Sequence, residues 1–185
     1  MQHRVRTLGV VLLFGLFSAA AVQAGGFTLT SPDIEGQLSM EQVFSGFGCT
    51  GNNISPRLAW KNAPAGTKSF AVTVYDPDAP TGSGWWHWLI FNIPADVHGL
   101  AAGAGDPAGK LAPRGSVQSR TDYGKTGYGG ACPPKGDRPH RYIFTVYALG
   151  VEKLDLGPDA SPAMVGFFLN HNALAKASLM AYYGR

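Results

Sequence analysis

The sequence predicts a mainly β protein with one helix near its end. Three observations carry that expectation. Several runs alternate apolar and polar residues at the two-residue period of a half-buried strand. Clusters of Gly, Pro, Asp and Ser separate those runs, as turns require. One stretch alone, after Ser161, repeats apolar residues at helical spacing.

The chain opens on a leader, not on the fold. Arg4 and Arg6 precede an uncharged apolar run over residues 8–22, and small residues lead up to Ala24. This is the pattern of a secretory signal peptide cleaved after Ala24. The run is shorter than the ~20 residues a membrane span needs, so no transmembrane anchor is expected in the mature chain. Residues 25–185 then form one domain, long enough for a proper core. In order, "FTLTS" (27–31), "SFAVTVYD" (69–76), "HWLIFNI" (87–93), "RYIFTVYAL" (141–149) and "SLMAYY" (178–183) read as strands. "HWLIFNI" is nearly continuous in apolar residues, as a central strand is. "SMEQVF" (39–44) reads equally as a turn or a strand. Ser161 as N-cap and Pro162 at the first helical position open a helix over 162–175, with Met164, Val165, Phe168, Leu169 and Leu174 on its apolar face. Between Gly99 and Gly136 lie ten glycines and four prolines with little periodicity. So long an irregular stretch, with Tyr123 and Tyr128 in it, predicts an ordered loop that faces a ligand.

Charge narrows the classes. Loss of Arg4 and Arg6 with the leader takes the formal charge from +3 to +1. No Lys/Arg run alternates with aromatics, so nucleic acid is not an expected partner. Two cysteines, Cys49 and Cys132, lack the CxxC spacing of a zinc or redox site. In an exported chain they point to a disulfide, with two buried thiols as the other reading.

The chemistry gathers in two places. "VYDPDAPTGSGWWHW" (74–88) brings Asp76, Asp78 and His87 close together beside Trp85, Trp86 and Trp88. Pro77 keeps Asp76 extended at a strand end, although turn capping is the common use of Asp-Pro for both Asp76 and Asp78. Alternation puts Trp85 and His87 on one face and Trp86 and Trp88 on the other. The tryptophans then hold the imidazole still and keep water scarce. A satisfied structural histidine is the plainer reading of His87, and a strand-end surface histidine that of His140. In "GYGGACPP" (127–134) Gly129 and Gly130 permit positive φ, so that their N–H groups form a nest for an anion; ordinary turns use the same letters. Together these pieces describe a small pocket of carboxylate, imidazoles, backbone donors and aromatic walls. It suits a phosphate or carboxylate head group. Asp76 repels such an anion unless a proton is shared, so binding is expected to strengthen as pH falls from neutral.

"DPDAP" (76–80), "GWWHW" (84–88) and "GGACPPKGDRPHRY" (129–142) resemble the signature blocks of the phosphatidylethanolamine-binding protein family, also called the Raf kinase inhibitor-like family. "FSGFGCTGNNISPRLAW" (44–60) is similar to the N-terminal block of its bacterial YbhB/YbcL-type branch. The resemblance implies a β-sandwich with a large central sheet, a smaller sheet and a C-terminal helix. It also implies an anion pocket at Asp76 and His87, with Asp78, His140 and Tyr142 nearby, Trp85 in the wall, and backbone donors around Gly130 and Cys132. Many bacterial members have "GYGGPCPP"; Ala131 replaces that proline here and leaves the loop freer. Cys49 and Cys132 fall in two blocks that border the family's pocket, which favours a bridge between them. The family is not an enzyme class, and no cofactor or metal is implied. The leading expectation is an exported, periplasmic or secreted protein that binds phosphate, phosphoethanolamine or a similar small anion. A kinase or protease inhibitor or signalling protein, docking an unknown protein target through loop 99–136, is the alternative. A hydrolase is a third reading, with His and Asp as acid and base but no GxSxG nucleophile or metal triad.

Overall fold

The computed structural model describes residues 26–185; the leader expected over 1–24 lies outside the described residues. β1 (Thr28–Thr30), β2 (Ser45–Gly46), β3 (Cys49–Thr50) and β4 (Leu58–Lys61) precede the long strands β5 (Ser69–Asp76) and β6 (Trp85–Pro94). Short β7 (Gly99–Leu100) and β8 (Val117–Gln118) follow, then β9 (His140–Leu149), helix α1 (Pro162–Asn172) and β10 (Ala173–Tyr183). The large sheet has the order β10-β9-β5-β6-β8 and the smaller one β1-β4-β7, while β2 and β3 form a hairpin.

Both faces of the large sheet are covered, which is why its central strands are so apolar. On one face Phe70, Val72, Val74 and Val146 pack against Leu29, Leu58, Trp60 and Leu100 of the smaller sheet. On the other, Ala71, Leu89, Phe91 and Leu149 meet Val165 and Leu169 of α1. Each of those two helix side chains is fully buried, worth about 1.5–3 kcal/mol. Ser161 caps α1 by accepting from the Met164 amide at 3.3 Å.

Two sequence expectations need correction here. The helix ends at Asn172, not 175, and β10 begins at once, five residues before the expected 178. Pairing with β9 wins: Ala173 lies opposite Leu149, and an irregularity between Ala173 and Ala175 turns Leu174 outward to 49% exposure. Of the two readings open for "SMEQVF", the turn holds, and it leads into an isolated bridge between Val43 and Ala131. The second correction bears on the site. Val74 pairs with Trp88 but Tyr75 pairs with Trp86, so His87 is an extra residue in β6. A bulge of this kind breaks the alternation of faces. Trp86 packs on the helix side, whereas Trp88 joins the core between the sheets.

Candidate functional site

A cavity of about 210 Å³ opens at one end of the large sheet. β5 delivers Asp76, β6 delivers Trp85 and His87, and β9 delivers His140 and Tyr142. All five line the cavity, together with Cys132, Pro133, Pro134, Tyr123 and Phe47. These five were legible in the sequence as a group; Phe47 and Tyr123 were not assigned to the site.

The hydrogen bonds sort the site into a fixed frame and a free set. Asp76 is 3% exposed, and its two oxygens are taken. Oδ1 accepts from the amides of Asp78 at 2.8 Å and Ala79 at 3.1 Å, and Oδ2 accepts from His140 Nδ1 at 2.8 Å. The far side of the His140 ring faces Asp137, with Nε2 3.4 Å from Oδ2. Asp76 therefore anchors a turn and an imidazole. His87 Nδ1 donates to the Gly129 carbonyl at 2.7 Å, which fixes the tautomer of the neutral ring and leaves Nε2 as an acceptor. Burial pushes the His87 pKa down, partly opposed by its bond to the Gly129 carbonyl and by the charge of Asp76. Burial, reinforced by the Asp76 charge, raises the Tyr142 phenol well above its usual range, so its hydroxyl stays protonated.

His87 Nε2, Tyr142 Oη and Trp85 Nε1 are buried without a hydrogen-bond partner. All three belong to residues that line this one cavity. Buried polar atoms are seldom left unpaired, because each orphan costs about 1–3 kcal/mol. The other two orphans, Trp60 Nε1 and Ser119 Oγ, belong to residues away from this cavity. The tryptophans do not clamp the imidazole as alternation implied. Tyr142 and Tyr123 pack edge-on to it, with centroids at 5.1 and 5.5 Å. Trp86 packs at a tilt against Tyr75, and Trp88 Nε1 donates to Gln118.

Two expected site residues stand elsewhere. Asp78 turns away from the cavity and receives Arg141 through Nε and Nη2, both at 2.8 Å, with Arg138 Nη2 at 3.3 Å. The Arg141 bonds hold its carboxyl far below the usual range, so it remains charged. Gly129 and Gly130 form no anion nest. Neither has positive φ, and their N–H groups already donate to the His87 carbonyl at 2.8 Å and to Asn53 Oδ1 at 2.7 Å. Glycine is required for a different reason. A Cβ on Gly129 would lie 2.3 Å from the Tyr123 ring, and one on Gly130 would lie 2.1 Å from the Gln42 carbonyl oxygen. Ala131 does not loosen the loop either: its amide donates to the Gln42 carbonyl at 3.3 Å, a bond proline cannot make. Cys49 and Cys132 are bridged, with Cα atoms 6.0 Å apart. Among the described residues, no group of three or more His, Cys, Asp or Glu is placed to hold a metal ion.

This sandwich, with its cavity of two histidines, a tyrosine and a buried aspartate at the sheet end, belongs to the phosphatidylethanolamine-binding protein family, whose family model matches residues 30–184. Within that family the chain is 54% identical over 178 residues to the UPF0098 protein YbcL of Escherichia coli, covering 95% of this chain and 96% of that protein. It is 57% identical over 148 residues to YbhB of the same organism, covering 80% of this chain and 92% of that one. The crystal structure of E. coli YbcL superposes with a TM-score of 0.84 at 55% identity, over 86% of this chain and 98% of that one.

Proposed function

We propose that the protein is a binder of small phosphate-type anions, taking inorganic phosphate or the phosphate of a phosphoethanolamine head group into the 210 Å³ cavity. The observation that carries the reading is that Trp85 Nε1, His87 Nε2 and Tyr142 Oη, all buried and all without a partner, belong to residues that line one cavity. Trp85 and Tyr142 supply N–H and O–H donors. A protonated phosphate oxygen donates to His87 Nε2, or His87 takes the proton and becomes a third donor; the complex holds the same proton in either case. Cys132 borders the same space. The family's printed description, phosphatidylethanolamine-binding, agrees with a phosphate-bearing head group.

Binding without turnover fits the lining. Asp76 is held in its frame, and the Thr81 hydroxyl donates to the Gly84 carbonyl, so neither is poised as a nucleophile. Export to an oxidising compartment is part of the proposal. It is supported by the leader pattern before Ala24 and by the Cys49–Cys132 bridge. No helix among the described residues is long and apolar enough to cross a membrane.

Tyr142→Phe removes one donor and no packing. Phosphate affinity is expected to fall by about tenfold, the worth of a hydrogen bond to a charged partner. The same change spares the apo protein one orphaned hydroxyl, so its melting temperature is expected to hold or rise. Calorimetric titration and a thermal melt measure both. Unchanged phosphate affinity in the variant would remove Tyr142 from the ligand's contacts.

A further inference from the structure

Phe47 of the β2–β3 hairpin and the segment 132–134 both line the cavity. Phe47 occupies the hairpin tip with φ 53°, a left-handed conformation that non-glycine residues rarely adopt. Its side chain is largely exposed, yet its ring stacks on Tyr123 with centroids 5.7 Å apart and leans on Phe44 at 5.5 Å. Phe47 and Tyr123 line both the cavity and a neighbouring cleft of about 910 Å³, so they form the partition between the two spaces. A strained, exposed residue in such a position persists only when its surroundings hold it there.

Two tethers do so. One is the Cys49–Cys132 bridge. The other is Arg185. Its Nε donates to the Pro133 carbonyl at 2.7 Å, Nη1 to the Gly48 carbonyl at 2.9 Å, and Nη2 toward the Phe47 carbonyl at 3.4 Å. Phe47 and Pro133 both line the cavity, so one guanidinium ties two segments of its wall together. Arg185 itself lies outside the cavity, in a surface cleft that Asp137 also lines. Its hydrogen-bond partners are all carbonyls.

We infer that Arg185 is a positioning residue of the anion site: from outside the cavity it clamps the Phe47 hairpin to the Pro133 wall, and so fixes the side of the cavity that those residues line. The inference rests on the anion reading of the cavity. The clamp slows dissociation, because it keeps Phe47 against Tyr123 beside the bound ligand. Lysine retains the charge, but a single ammonium cannot reproduce a planar fork that reaches three carbonyls.

Arg185→Ala and Arg185→Lys test this with two readouts. In the ligand-free protein, the rate at which dithiothreitol reduces the Cys49–Cys132 bridge under native conditions reports how firmly the hairpin is held. In stopped flow, intrinsic tryptophan fluorescence reports dissociation of inorganic phosphate. The alanine variant is expected to release phosphate about tenfold faster, with faster bridge reduction. The lysine variant, which keeps the charge but not the fork, is expected to behave like the alanine variant. Wild-type dissociation and bridge reduction in the lysine variant would overturn the clamp. So would an unchanged reduction rate in the alanine variant. A wild-type protein that binds no phosphate would instead retire the anion reading, while the reduction rates still decide whether Arg185 holds the hairpin.

Discussion

His87→Ala weakens phosphate binding by about tenfold to a hundredfold, the expected cost of losing a charge-assisted hydrogen bond in a buried site. The effect is local, because Nε2 is the acceptor left open by the Nδ1 bond to Gly129. The variant also leaves the Gly129 carbonyl without its imidazole donor, so it is expected to melt lower, by a penalty of about 1–3 kcal/mol. Titration calorimetry beside a thermal melt separates the two losses. The sign of the pH dependence follows from the same atom. Burial holds the His87 pKa below its ordinary value, so the apo ring is neutral near pH 7. The complex with a phosphomonoester holds one proton more than the separated partners once the ligand has lost its second proton, at a pKa of about 6. Affinity therefore falls with rising pH above that point, by up to about tenfold per unit. Stability of the empty protein moves the other way. An unfolded histidine takes up its proton near pH ~6.5 while the folded ring does not, so the contribution of His87 is complete above that value and is lost as pH falls below it. Acid thus tightens the complex and loosens the empty fold.

Removing the disulfide has the largest expected effect on stability. Cys49 and Cys132 are 83 residues apart, and in the chain-entropy account a loop of that length is worth about 4–5 kcal/mol. For a protein of this size that lowers the melting temperature by about 10–15 °C. A Cys49→Ala/Cys132→Ala variant, followed by circular dichroism through its melt, measures the loss; a shift under a few degrees would show that the reduced, unfolded chain is already restricted. Phosphate affinity should fall in the same variant. The hairpin that carries Phe47 is then held to the Pro133 wall by the Arg185 bonds alone.

Much of this was legible in the sequence, and what was not has definite physical causes. Long strands announced themselves because β5 and β9 keep strict alternation or dense β-branching. β2, β3, β7 and β8 are two-residue strands, too short to leave a period. Asp76, His87 and His140 stood out because each lies at or near the end of a strand that the pattern already marked, whereas Tyr142 joined them only through the family resemblance. Their roles were harder to read. Whether Asp76 meets a ligand or a histidine depends on β5 and β9 lying side by side, which no local spacing encodes. The bulge at His87 is likewise a property of the β5–β6 pairing, so alternation alone placed Trp88 on the wrong face. Gly129 and Gly130 looked like turn residues, yet their use is close approach to Tyr123 and to the Gln42–Phe44 backbone. Arg185 gave no signal at all, because its three acceptors are backbone carbonyls far away in sequence.

The proposal gives three orphaned polar atoms to one phosphate-type anion. Titration calorimetry of the protein with phosphate and with phosphoethanolamine tests it most directly, at acidic and at neutral pH, in buffers of different ionisation enthalpy. The account predicts saturable one-to-one binding, tighter at acidic pH, with proton uptake at neutral pH that vanishes in His87→Ala. Absence of saturable binding at either pH, in a protein whose melt shows it folded, would contradict it.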